Sequence, residues 1–137
     1  MKTDRKAEIV AIASKLFREK GYSAVTVRDI AQALDIKAAS LYNHISSKQE
    51  ILHLMIIKIA EDYTNTISEI LDSPESTLVK LQKVIKLHID ITVENPDAMA
   101  SLNNDWMHLQ EDDLKYFLKM REEYEQKFRI IIKNGIE

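Results

Sequence analysis

The chain has no cysteine, two glycines, two prolines and one tryptophan in 137 residues. Without cysteine, neither a disulfide framework nor a thiolate metal site can be built, and the redox compartment leaves no signature. With glycine only at Gly21 and Gly135, a glycine-rich phosphate loop is excluded. So few helix breakers, set among many Leu, Ile, Lys and Glu, favour helix over sheet. No apolar run approaches the roughly 20 residues of a membrane-spanning helix. No signal-peptide pattern opens the chain, so a cytoplasmic location is expected, with no membrane partner. The histidines, at 44, 53, 88 and 108, include no pair four apart, so no helical metal motif is expected. Asp112-Asp113 and Glu122-Glu123 are adjacent pairs on helices and face different ways, as solvated charge does. No catalytic cluster and no cofactor is expected.

The apolar share of 45% is ordinary and sufficient for a core. The formal net charge is −3, but it is unevenly spread: residues 1–52 hold nine basic and six acidic side chains, a net of +3, and residues 53–137 hold ten and sixteen, a net of −6. A basic head on an acidic body suits a DNA-contacting domain carried by a second one.

The stretch 26–48, TVRDIAQALDIKAASLYNHISSK, organises the rest. Thr26 can cap a helix, with Asp29 three residues on to complete the pair. Val27, Ile30, Ala31 and Leu34 form one apolar stripe. Asp35-Ile36-Lys37 breaks it, and 38–43 reads as a second short helix opening with small residues. Two helices joined by a three-residue turn have the helix-turn-helix size.

Before this pair, a first helix is predicted over 4–20, with Ile9, Ile12, Ala13, Leu16 and Phe17 buried. Gly21 is expected to end it in the left-handed conformation, with Tyr22 folded back on the last turn. Lys2, Arg5 and Lys6 at its front either reach a phosphate or are simply solvated. After the pair, a long helix runs from Ser47 to about residue 71, with Glu50 completing a capping box. Its free N–H groups and Lys48 offer an anion site. Its stripe is Ile51, Met55, Ile59, Tyr63, Ile67 and Ile70. Ser73-Pro74 is expected to end it and to place Pro74 in the first turn of the next helix, which runs to about 94. Asn95-Pro96 opens a short sixth helix. Residues 100–113 read as polar and irregular around Trp106. A last helix over about 112–134 carries the stripe Leu114, Phe117, Leu118, Tyr124, Phe128, Ile131 and Ile132.

Four blocks carry a family resemblance: Leu16-Phe17-x-x-x-Gly21-Tyr22, Thr26-Val27-x-x-Ile30-Ala31, Ser40-Leu41-Tyr42-x-His44 and Ser47-Lys48-x-x-Ile51-Leu52. At these spacings the first third of the chain resembles the DNA-binding domain of TetR transcriptional regulators. It departs from them at Asp35 (usually Gly), at Lys37 (often Ser or Thr, so the second helix lacks its usual cap) and at Ile45 (commonly aromatic). The resemblance implies an all-α protein: a three-helix helix-turn-helix DNA-binding domain over 1–46, then a helical effector-binding and dimerisation domain over 47–137. Regulators of this type typically continue through a further helix, so the body is expected to be shortened. By the same resemblance, Thr26, Ser40, Tyr42, His44 and Lys48 position the protein on phosphates, while Arg28, Lys37 and Asn43 read bases and Ala38 and Ala39 touch thymine methyls. The expected partners are double-stranded operator DNA, a second copy of the chain and a small-molecule effector that releases the DNA through a swing of the fourth helix.

In the body, His88 shares a stripe with Leu81, Val84, Ile85 and Ile91, as a core histidine or a ligand contact. Arg121 falls between Phe117 and Tyr124 on an apolar stripe, where a buried arginine needs an anionic partner, either a protein carboxylate or an acidic effector. Trp106 and Met107 line a pocket or simply pack. The run Arg121-x-x-Tyr124-Glu125-x-x-Phe128 is similar to one in regulators of lipid catabolism, which points to a fatty-acyl or CoA-type effector. The rival readings are a helical protein-interaction module whose helix-turn-helix no longer binds DNA, and a small helical enzyme, for which no convergent polar cluster is found.

Overall fold

The computed structural model describes residues 4–136, which form seven α-helices and two 3₁₀ turns with no strand among them. The first helix, α1 (Arg5–Lys20), is capped by Asp4, whose carboxylate accepts the Lys6 N–H at 3.0 Å. Lys2 lies outside the described residues. Gly21 ends α1 with φ 86° and ψ 145°, so the left-handed turn expected there is replaced by positive φ with an extended ψ. Only glycine enters that region freely. Its N–H still reaches the Phe17 carbonyl at 2.8 Å, and Tyr22 folds back edge-on to Phe17, ring centroids 5.0 Å apart.

A 3₁₀ turn (Tyr22–Ala24) leads into α2 (Val27–Ala33). Thr26 and Asp29 form the full capping box: Asp29 N–H donates to Thr26 Oγ1 at 3.1 Å, and Thr26 N–H donates to Asp29 Oδ2 at 2.9 Å. The second bond holds the Asp29 carboxyl below its ordinary pKa. Asp35 takes φ 56°, a conformation Asp tolerates better than most residues, and the turn closes with Ile36 N–H on the Ala31 carbonyl at 3.0 Å. The following α3 (Ala38–Tyr42) starts at Lys37 with no side-chain cap.

The axis of the molecule is α4 (Lys48–Asp72). Ser47 Oγ accepts the Glu50 N–H at 3.1 Å, but the expected box is not reciprocated. Glu50 instead accepts from the Ser46 hydroxyl at 2.7 Å and the Ser46 N–H at 3.3 Å. Next, α5 (Thr77–Glu94) begins three residues beyond Pro74, since Ser76 provides the cap by accepting the Val79 N–H at 3.3 Å. Pro74 therefore lies in the connection and not in a first turn. Pro96 does sit in the first turn of α6 (Pro96–Asn104). Most of the stretch read as irregular is ordered: α6 extends to Asn104, a 3₁₀ turn covers Trp106–His108, and α7 (Glu111–Ile136) follows. Burial of Ser101, and of Ala98 and Leu102 in part, gives α6 an inward face that the polar composition hid.

α4 contributes to every core cluster. Ile51, Leu52, Met55 and Ile56 join Ile9, Phe17, Ile30, Leu41 and Ile45 of the head with Phe117 and Met120 of α7. Further along, Ile59 and Tyr63 pack with Ile91, and Ile67 and Ile70 pack with Val84 and Ile131. Each fully buried isoleucine is worth about 1.5–3 kcal/mol relative to exposure. All six residues of the predicted α4 stripe are buried. The α5 stripe is not: Ile85 is 60% exposed, beside exposed Ile89 and Val93, because α5 is covered on one side alone. Ile132 of α7 is likewise exposed, while Ile131 beside it is buried. No helix among the described residues is long and apolar enough to cross a membrane.

Candidate DNA-binding face and body cavity

Three of the residues predicted to meet DNA, Arg28, Lys37 and Ala38, share one hollow of the head. Arg28, Gln32, Lys37 and Ala38 line a shallow hollow between α2 and α3. Thr26, Arg28, Lys37, Ala39, Ser40, Tyr42, Asn43 and His44 are all exposed, and Tyr42 keeps 54% of its surface open. Ala38 is half-buried and packs on the core. Leu41 and Ile45, fully buried, hold α3 down and turn its other face outward. Gln32 was not among the sequence candidates. It stands one helical turn beyond Arg28, and an amide is suited to adenine edges. Thr26 keeps its hydroxyl proton after accepting the Asp29 N–H, so it retains a donor for a phosphate oxygen.

Lys48 also has partners within the head. Its ammonium donates to the Tyr22 carbonyl at 2.8 Å and the Val25 carbonyl at 3.0 Å, and lies 4.1 Å from the centre of the Tyr22 ring. Burial lowers its pKa. These contacts occupy two of its three donors, so the side chain ties α4 to the turn before α2 and leaves one donor for an anion.

In the body, a cavity of about 300 Å³ opens between α4, α5, α6 and α7. Its lining includes Tyr63, His88, Met99, Phe117, Arg121 and Tyr124. His88 Nε2 and the Tyr124 hydroxyl are hydrogen-bonded, and the His88 ring lies 4.9 Å from Tyr63, centroid to centroid. Burial pushes the Tyr124 hydroxyl up to about 12 and lowers His88 below the ordinary histidine value. Both groups are therefore neutral near pH 7.

Three of the four residues singled out for ligand contact, His88, Arg121 and Tyr124, meet in this cavity. Trp106 does not line it. Its ring stacks on Phe117 at 5.9 Å and carries the Arg121 guanidinium 4.8 Å from its centre. Arg121 is exposed and not buried, and among the described residues it forms no ion pair with a carboxylate. The indole face takes the place of the expected acid. Tyr63, Met99 and Asn103 also line it. Tyr63 was read only as core, and Asn103 fell in the segment read as irregular.

Residues 9–55 match the family model of bacterial regulatory proteins of the tetR family, and residues 74–137 match that of the tetracyclin repressor-like C-terminal domain. The chain belongs to the TetR family. It is 26% identical to the HTH-type transcriptional repressor KstR2 of Rhodococcus jostii, over 99% of this chain and 67% of that protein. It is 45% identical to the negative transcriptional regulator IcaR of Staphylococcus aureus, over 45% of this chain and 33% of that protein. Among solved structures, it resembles the TetR regulator PfmR of Thermus thermophilus, with a TM-score of 0.82 and 28% identity over 97% of this chain and 71% of that one. The ketosteroid regulator KstR2 of Mycobacterium tuberculosis, 23% identical with a TM-score of 0.90 over 99% of this chain and 70% of that one, shares the fold. The chain thus spans about two thirds of the KstR2 repressor's length.

Proposed function

We propose that this TetR-family chain is a sequence-specific DNA-binding repressor that releases its operator when a small molecule fills the body cavity. The head, residues 1–46, acts as the DNA-binding domain, and residues 47–137 as the effector-binding and dimerisation domain. The observation that carries the reading is the hollow lined by Arg28, Gln32 and Lys37 between α2 and α3, with Ser40, Tyr42 and Asn43 exposed on and just after α3. Arginine or lysine suits guanine O6 and N7, amides suit adenine, and hydroxyls suit phosphate oxygens. Two such heads in a dimer would address successive major grooves about 34 Å apart. Exposed Ile85, Ile89 and Val93 of α5 and Ile136 of α7 leave the body an uncovered apolar surface, which supports association with a second copy.

A fatty-acyl molecule suits the apolar lining, and an effector binding one state better than the other shifts the balance between DNA-bound and released forms. The test is DNA affinity against salt. A DNA binder loses affinity steeply as salt rises, and removing one phosphate contact lowers the slope by about 1. Affinity indifferent to salt and unchanged in Arg28→Ala and Lys37→Ala would instead favour the protein-interaction reading.

A further inference from the structure

We infer that the body cavity takes an amphipathic monocarboxylate, with its single carboxylate on Arg121 and its uncharged apolar end toward His88 and Tyr124. This rests on the reading of the cavity as the effector site and assigns the chemical class of the occupant.

Arg121 lines the cavity with no carboxylate partner among the described residues. Its guanidinium lies over the Trp106 ring and near that of Phe117, at 4.8 and 6.0 Å. A cation–π contact uses none of its N–H donors, and no side-chain ion pair among the described residues takes them. Those donors form the planar fork that matches a carboxylate in a bidentate pair.

The hydrogen-bonded His88–Tyr124 pair, one helical turn along α7 from Arg121, offers the opposite chemistry. Both groups are neutral near pH 7, and Tyr63 and Phe117 supply aromatic walls. A second charge on the ligand would meet no counter-ion there, since among the described residues Arg121 is the one charged side chain of the lining. A primary amine would place a cation against Arg121. At about 300 Å³ the space stands at the small end of ligand pockets, so it holds a medium-length acyl chain and leaves any large appended nucleotide outside.

Trp106, the sole tryptophan, reports occupancy through its emission, because a carboxylate on Arg121 changes the charge held against the indole. The full chain is titrated with octanoate, octanol, octylamine and suberate. Octanoate is expected to shift the emission saturably and to bind at least tenfold more tightly than the other three. Arg121→Gln should bring octanoate down to the octanol level, and Arg121→Lys should retain part of the preference. Octanol or suberate binding as tightly as octanoate, or an unchanged preference in Arg121→Gln, overturns the assignment. So does the absence of any saturable shift with octanoate in a chain that still binds DNA, and that result leaves the regulator reading standing. Loss of salt-dependent DNA binding, with octanoate selectivity intact, sinks the regulator reading alone. If Arg121→Gln fails to fold by circular dichroism, the ranking of the four probes on the unmodified chain decides.

Discussion

His108 lies face to face with Tyr22, ring centroids 5.0 Å apart and planes 19° from parallel. One ring belongs to the 3₁₀ turn of the body and the other to the turn that leads into the helix-turn-helix. Tyr22 also carries Lys48 on its ring, and Trp106, two residues before His108, carries Arg121 from the cavity wall. The 3₁₀ turn thus joins two side-chain contacts, Arg121 on Trp106 at the cavity wall and His108 on Tyr22 at the head. His108→Ala should cost about 0.5–1.5 kcal/mol beyond the area lost, the worth of an aromatic pair. In DNA-release titrations it should also weaken the effect of a cavity ligand. Unchanged stability and unchanged release would show that the stack transmits nothing.

Lys48→Ala leaves the Tyr22 and Val25 carbonyls without their charged donor. Urea unfolding should register a loss of about 1–3 kcal/mol, the cost of stranding buried polar groups. A change in DNA affinity alone, with stability intact, would return Lys48 to the role of a plain phosphate ligand.

Thr26→Ala removes the acceptor for the Asp29 N–H and should cost about 1 kcal/mol, as cap deletions do. The same box sets an acid dependence. The folded Asp29 carboxyl has a lowered pKa, so its contribution is present above the ordinary aspartate value and is lost as pH falls through the folded value. Stability measured from pH 6 down to pH 3 should therefore fall less in Asp29→Asn than in the parent chain.

His88 predicts a second pH window. Its folded pKa is lowered by burial, so the unfolded chain takes up a proton first as pH falls through about 6.5. That proton favours unfolding, and stability should decline from pH 7 toward pH 5. His88→Gln should flatten the decline over this range, as measured by thermal melts.

Gly135 marks a close crossing. A Cβ there would lie 2.5 Å from Thr77 Cγ2, so α7 and the start of α5 meet where only hydrogen fits. Gly135→Ala should destabilise the body by about 1–3 kcal/mol through overpacking. Adding Thr77→Ser removes the offending methyl and should recover most of the loss. Failure of this pair to rescue would place the strain elsewhere.

Local chemistry was readable in the sequence. The Thr26–Asp29 box, the uncapped start at Lys37 and the positive φ of Asp35 depend on residues within a few positions of one another, and all are present. So was the α4 stripe, because a helix covered along its whole length leaves a long periodic signal. Three local details failed, at Gly21, at the Ser47–Glu50 box and at Pro74, where neighbouring residues offered competing caps or turns, and the other failures were long-range. Lys48 finds its carbonyls 23 and 26 residues earlier, a pairing that periodicity does not encode. Arg121 lies on an apolar stripe by spacing, yet an indole fifteen positions away covers it and leaves it open to solvent. Ile85 looked inward because an apolar face tells which side of a helix avoids water in the end, and not whether the described chain covers it. Gln32 lacked only the view of the hollow it shares with Lys37.

The unbroken run of α4 through all three clusters has a mechanical consequence. Its 25 residues make a rod about 37 Å long at 1.5 Å per residue. A tilt of about 5° pivoting at the far end moves the near end by about 3 Å over that length, comparable to the reach of one hydrogen bond between a side chain and a base. A ligand that rocked the rod inside the body would thus act on the head with leverage, and no part of the head would have to unfold for its grip to change.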